Sequence, residues 1–284
     1  MISVRALGIL TNDPQRVEVA LGVLQKFLTT PASADGYGIA TFVDDAVVLK
    51  RVPGIFSGKD LSDLATGLQG SMTLMQVRAP EELRPRLYPS SGTNLGPFRL
   101  RQFAAMVLGG PQNADEASSS QERLLKGIPE FLQHGVLGQT ENEAFFVRLV
   151  AECYQKIGTD IRCLSPGQII DTISNLLEKL ESKYPRFIAF TYGQEIVYFS
   201  QGMQSAVITI KGLPLESAHQ PSISFADSST AKERLRQFRA SILLGAMSGP
   251  WPKNEKLPEG MELISLEKNS KGVLQRNLTF LDWK

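Results

Sequence analysis

A chain of 284 residues with 42% hydrophobic side chains carries enough apolar material for one large domain or two small ones. With 30 Lys and Arg against 29 Asp and Glu the net charge is +1, which removes the electrostatic ground for a nucleic acid or an anionic membrane as partner. Two cysteines (Cys153, Cys163) and two histidines (His134, His219) are too few for a Cys/His zinc cage, and neither a leader nor an apolar run of about 18 residues is visible. The expectation is a reduced, cytoplasmic protein without metal or cofactor.

Val4 to Leu10 is an apolar run ending in Thr11-Asn12-Asp13-Pro14, so a strand hands over to a helix that Asp13 caps and Pro14 opens. That helix carries Val17, Leu21, Leu24 and Phe27-Leu28 at helical spacing and is expected to run to Thr30-Pro31. Asp35 to Phe42 and Ala46 to Leu49 flank Asp44-Asp45 as a hairpin. Residues 60–68 repeat leucine at three- and four-residue steps and predict a short helix closed by Gly70. Met72 to Val77 reads as a buried strand that brings Gln76 and Arg78 to its end, and short strands follow at 96–100 and 104–108. The polar stretch Pro111 to Gln121, with Ser118-Ser119-Ser120, reads as a mobile surface loop.

Thr140-Glu141-Asn142-Glu143 opens a helix to Ile157 through a capping box, and Ser165-Pro166-Gly167-Gln168 opens the next by the same device. Phe187 to Tyr192 and Glu195 to Ser200 form a hairpin, and Ser205 to Ile210 adds a strand. A last helix is expected from Thr230 to about Met247, then a short strand at Met261 to Leu266. Hairpins in place of βαβ crossovers argue for an α+β layered fold with largely antiparallel sheets. Residues 1–266 read as one domain, and 267–284 as a C-terminal extension, either a docking tail or, preferably, an edge strand.

Few positions suggest chemistry on their own. Asp35-Gly36-Tyr37-Gly38 leads into a strand, so it is a turn and not a dinucleotide cradle. Arg78, closing an apolar strand, either pairs with a carboxylate of the fold or offers its fork to a ligand carboxylate. Gly109-Gly110 after a strand is a tight turn or an oxyanion-type nest of N–H groups. Glu141 and Glu143 are accounted for by the capping box and the helix dipole. Cys153 shares an apolar helix face with Val150 and Tyr154 and should be inert, whereas Cys163 sits in a connection. His134 and His219 fall in loop regions and should face solvent.

The order of these signals resembles the class II glutamine amidotransferases, N-terminal-nucleophile hydrolases, in particular their stand-alone small bacterial branch. The family pattern reads Met-Cys-x-Leu-Leu-Gly, Asp-Gly-Trp-Gly-Ile, His-x-Arg, Asn-Thr-His-Pro-Phe, His-Asn-Gly and Thr-Asp-Ser-Glu. Here the counterparts are Leu7-Gly8, Asp35-Gly36-Tyr37-Gly38-Ile39, Gln76-Val77-Arg78, Asn94-Leu95-Gly96-Pro97-Phe98, Leu108-Gly109-Gly110 and Thr140-Glu141-Asn142-Glu143, spread over residues 3–266. The resemblance implies a four-layer αββα sandwich.

The departures fall on the chemistry. The family's nucleophile is a cysteine whose free α-amine moves the proton. Laying Leu-Gly on Leu7-Gly8 puts Val4 at that position, Ile2 is too bulky for routine methionine removal, and Ser3 leads the chain only if two residues are cleaved. Gln76 and Gly96 replace two histidines, and Gly109 replaces the oxyanion-binding asparagine, a donor worth about 2.7–4 kcal/mol in transition-state stabilisation. Arg78 and Glu141 keep the charges that in the family grip the carboxylate and amine of an amino acid, with Asn94 beside them. The reading is a protein without catalytic residues, with a residual pocket of Arg78, Asn94, Gly109, Gly110 and Glu141, that binds a protein partner or a small amino-acid-like ligand, alone or as an oligomer. The alternative is a divergent amidohydrolase acting through Ser3 after processing. With the histidine and asparagine gone, Arg78 and Glu141 are expected to pair with each other, because an unpaired buried charge costs on the order of 3–5 kcal/mol.

Overall fold

Strands that are apolar throughout need cover on both faces, and the computed structural model supplies it with two sheets packed face to face and helices against each outer face. The structure describes residues 2–31, 33–43, 46–57, 70–78, 91–111, 113–158, 164–180, 184–193, 195–213, 228–249, 257, 260–264 and 273–279.

The first elements are β1 (Ile2–Ser3), β2 (Ala6–Thr11), α1 (Val17–Leu24), β3 (Leu28–Thr29), the hairpin of β4 (Ser33–Val43) and β5 (Ala46–Ser57), and β6 (Met72–Arg78). β7 (Phe98–Leu100) and β8 (Phe103–Gly109) precede four helices, α2 (Ala114–Leu125), α3 (Glu130–Gln133), α4 (Glu141–Ile157) and α5 (Pro166–Lys179). Then come β9 (Arg186–Thr191), β10 (Glu195–Gln201), β11 (Gln204–Lys211), α6 (Ser228–Gln237), β12 (Arg239–Met247), β13 (Met261–Ile264) and β14 (Val273–Thr279).

One sheet has seven strands in the order β13-β11-β12-β2-β6-β4-β5, and the other has five in the order β14-β10-β9-β8-β7. Every pairing in both is antiparallel. The side-chain period of two sorts residues between layers. Ala6 and Leu10 of β2 face Ala104, Met106 and Leu108 of β8 and Phe187 of β9 in the core between the sheets. Leu7 and Ile9 point outward onto Val17, Leu21 and Leu24 of α1 and Leu235 of α6. Val107 and Ile188 point outward from the other sheet onto Phe146, Val150 and Ile173 of α4 and α5. This is the four-layer αββα sandwich expected from the resemblance. The sheets approach so closely at Gly245 that a Cβ there would overlap the Phe187 ring.

Five local expectations are corrected. Asp13 makes no side-chain cap, and Pro14–Arg16 form a short 3-10 turn ahead of α1, which begins at Val17. Asp35–Gly38 lie inside β4 and not in a turn. α1 stops at Leu24, and Leu28 joins β3, because parallel pairing of Leu28 with Ile2 competes better than two more helical turns. The stretch read as a mobile loop is helix α2: Asn113 caps it by accepting from the Glu116 N–H, and Ala117, Ser120 and Leu124 form its buried stripe. The helix expected from Thr230 to Met247 is helix α6 followed by strand β12, whose Ala240–Ala246 run is buried on both faces and therefore carries no alternation. The Ser165/Gln168 capping box forms in full. Thr140 caps α4, yet the Glu143 carboxylate turns away to other backbone groups. The helix at 60–68, Cys163 and His219 lie outside the described residues. Among the described residues no helix is long and apolar enough to cross a membrane.

Candidate functional site

Ile2, Ser3 and Val4 are woven into the sandwich. Ile2 N–H donates to Phe27 O at 2.8 Å, Val4 N–H to Thr29 O at 2.8 Å, and Ser3 exchanges two 3.0 Å bonds with Ser248. Ile2 and Val4 are 1% and 2% exposed and belong to the core under α1. The position that the resemblance aligns with a nucleophile carries the buried isopropyl group of Val4.

Arg78 ends β6 opposite Gly36, and this register sets its guanidinium 3.3 Å from Asp35, with both side chains largely buried. Glu141, in the first turn of α4, is bound instead by Arg186, whose Nη2 donates to Oε1 at 2.6 Å. The expected Arg78–Glu141 pair is thus replaced by two separate pairs, since each buried charge has an opposite one nearer through strand register. Ser120 Oγ of α2 also donates to Glu141 Oε1, at 2.9 Å. Gly109 pairs with Arg186 across β8 and β9, and Gly110, at φ +108°, lies against Glu141 and Arg186.

The segment 94–98 runs past the ends of β4 and β6. Gly36 receives the Leu95 side chain and Gly96 makes room for the Gln76 amide, which donates to Val107 O of the facing sheet at 3.3 Å. Asn94 is buried at the start of this segment. Its Oδ1 accepts from Gln139 N–H at 2.9 Å, while Glu143 accepts from Gly138 at 2.7 Å and Leu137 at 3.2 Å. Burial pushes the Glu143 carboxyl above its usual range, against those N–H groups and the Arg51 charge. These contacts fix the loop that leads into α4 and so fix where Glu141 stands.

The structure thus brings together Gly109, Gly110 and Glu141, and adds Arg186 and Ser120, which sequence reasoning missed. Their only sequence signal was a charged residue opening the apolar run Phe187–Tyr192, the mirror of Arg78 closing one. Cys153 is fully buried, and burial raises its thiol pKa to about 12, so little thiolate is available there. His134 ends α3 on the surface. Among the described residues no group of three or more His, Cys, Asp or Glu is placed to hold a metal ion.

No family model matches the chain, and none of the curated proteins does. Among solved structures the chain is similar to a glutamine aminotransferase class-II domain protein from Silicibacter pomeroyi, at 16% identity and TM-score 0.48 over 96% of this chain and 98% of that one. It is similar to the glutamine PRPP amidotransferase of B. subtilis at 15% identity and TM-score 0.43, covering 95% of this chain and 48% of that one. A predicted glutamine amidotransferase from Pseudomonas aeruginosa resembles it at 14% identity and TM-score 0.42, over 92% of this chain and 91% of that one.

Proposed function

We propose that this chain is a glutamine amidotransferase-like protein that has lost the N-terminal nucleophile and serves as a non-catalytic binding or scaffold protein. The observation that carries the reading is the burial of Ile2 and Val4 in the core, with their amides bonded to residues 27 and 29. Amide hydrolysis by this class of site needs a nucleophile, a base to take its proton and donors for the oxyanion. Hydrocarbon side chains occupy the first position, and Arg78 and Glu141 are engaged by Asp35 and Arg186. A protein partner is the favoured ligand, because Phe131 of α3 and Leu137 of the segment that follows it are large apolar side chains exposed at the surface.

The test combines intact mass with ammonia release from glutamine. The reading expects a chain that retains Ile2 and no ammonia above the buffer rate. A mass that begins at Ser3, together with ammonia release abolished by Ser3→Ala, overturns it in favour of the processed amidohydrolase.

A further inference from the structure

Phe131 and Leu137 are the two most exposed large apolar side chains among the described residues, at 57% and 67%. Neither stands on a frayed loop. Leu137 N–H donates to the buried Glu143 carboxylate at 3.2 Å, and Gly135 lies so close to Leu100 of β7 that a Cβ there would overlap it. The segment that carries both side chains is therefore fixed against the end of the β7–β8 hairpin. Leu100 pairs with Phe103 across that hairpin, which leaves Arg101 and Gln102 as its two-residue turn.

Arg101 adopts φ +56°, in the left-handed region that glycine or asparagine enters with less strain. The sequence keeps a long cation there, and its guanidinium carbon stands 5.4 Å from the centre of the Phe131 ring. Among the described residues Arg101 has no carboxylate within ion-pairing distance. Glu130, the neighbour of Phe131, has an 88% exposed side chain and among the described residues reaches only the His134 imidazole, 3.8 Å away. One small face thus offers an aromatic ring, a leucine, a cation without a counter-charge and a carboxylate with almost none.

An acidic partner would answer Arg101 and leave Glu130 opposed, and a basic one would do the reverse. A second copy turned about a two-fold axis answers both at once, because residue i of one copy meets residue j of the other and j meets i. Phenylalanine and arginine are enriched in such interfaces, and a face held rigid beforehand loses little freedom on docking.

We propose that this face joins two copies of the chain about a two-fold axis, with Phe131 and Leu137 of both at the centre and Arg101 of each copy against Glu130 of the other. The proposal rests on the reading of Phe131 and Leu137 as a protein-binding surface and names the partner. A face of this size is smaller than an obligate interface, so the dimer should have a dissociation constant on the order of micromolar.

Sedimentation velocity of the full chain, from about 1 to 100 times that concentration, reads the association. Wild type should pass from monomer to dimer over the series. Arg101→Glu sets two like-charged pairs against each other in a homodimer, and so does Glu130→Arg, so each alone should associate at least about tenfold more weakly. An equimolar mixture of the two restores both opposite-charge contacts and should sediment as a dimer again. Circular dichroism matching wild type checks that each variant is folded, and Leu137→Asp supplies a third disruption that leaves Arg101 and Glu130 in place. Wild type that stays monomeric throughout overturns the proposal without need of any variant. A wild-type dimer that the folded single variants leave intact, or a mixture that stays monomeric, overturns it as well. Ammonia release measured on the same wild-type sample separates the two readings: its presence sinks the non-catalytic one and leaves the two-fold face to sedimentation, whereas a monomer that releases none sinks the face alone.

Discussion

Removal of Met1 and Ile2, so that Ser3 leads the chain, separates a core strand from a cleavable leader. The Ile2 side chain is 1% exposed, and truncating a buried isoleucine costs about 2–5 kcal/mol. Loss of its N–H bond to Phe27 O adds about 1 kcal/mol. The sum, about 3–6 kcal/mol, is a large share of the roughly 5–15 kcal/mol that holds a typical domain together. Urea unfolding followed by circular dichroism should show the midpoint falling by that free energy divided by an unchanged slope, and the truncated protein should release no ammonia from glutamine. A truncated protein within about 1 kcal/mol of the parent would refute the assignment of Ile2 to the core. A gain of glutaminase activity would refute the non-catalytic reading itself.

Other perturbations probe the rest of the argument. Gly245→Ala drives a methyl into the Phe187 ring and should cost at least 1–3 kcal/mol of unfolding free energy, about the scale of overpacking; a neutral result would mean the sheets separate there with ease. Double-mutant cycles should give a coupling well above 0.5 kcal/mol for Asp35→Ala with Arg78→Ala, whereas Arg78→Ala with Glu141→Ala should add to within about 0.5 kcal/mol; the reverse would restore the pairing that strand register replaces. Because burial raises the Glu143 carboxyl in the folded state, the folded protein holds that proton more tightly than the unfolded chain. Stability of wild type relative to Glu143→Gln should therefore be greatest in acid and fall as pH rises from the unfolded carboxyl value through the folded one; a difference that grows over that range would contradict the shift.

Features fixed by neighbours in sequence were legible, and those fixed by register were not. The Ser165/Gln168 box that opens α5 needs only four adjacent residues, and the structure forms it as read. The hairpin of β9 and β10 was equally plain, since its turn residues interrupt two β-rich runs. β12 misled because a strand buried on both faces has no period of two, and its Arg239–Met247 run follows a helical one without a breaker. α2 hid behind three serines, one of which is buried and spends its hydroxyl on Glu141. Arg78 and Glu141 were correctly singled out as charges at element ends. Their partners came from pairings across sheets and helices, Gly36 with Arg78 and Gly109 with Arg186, that no local pattern announces.

The seat of β2 in the middle of the seven-stranded sheet has a consequence for how the chain is made. β2 is bonded on one side by β6, but its other flank waits for β12, with Ala6 opposite Gly245. At a synthesis rate of roughly 5–20 residues per second, about 240 residues and tens of seconds separate the two partners. Throughout that interval the growing amino-terminal half presents an apolar strand with an open row of peptide groups, the kind of template that recruits other chains. Folding of this sheet is therefore closed from its last third, and a ribosome stalled before residue 239 would leave a nascent chain that depends on a chaperone to stay monomeric.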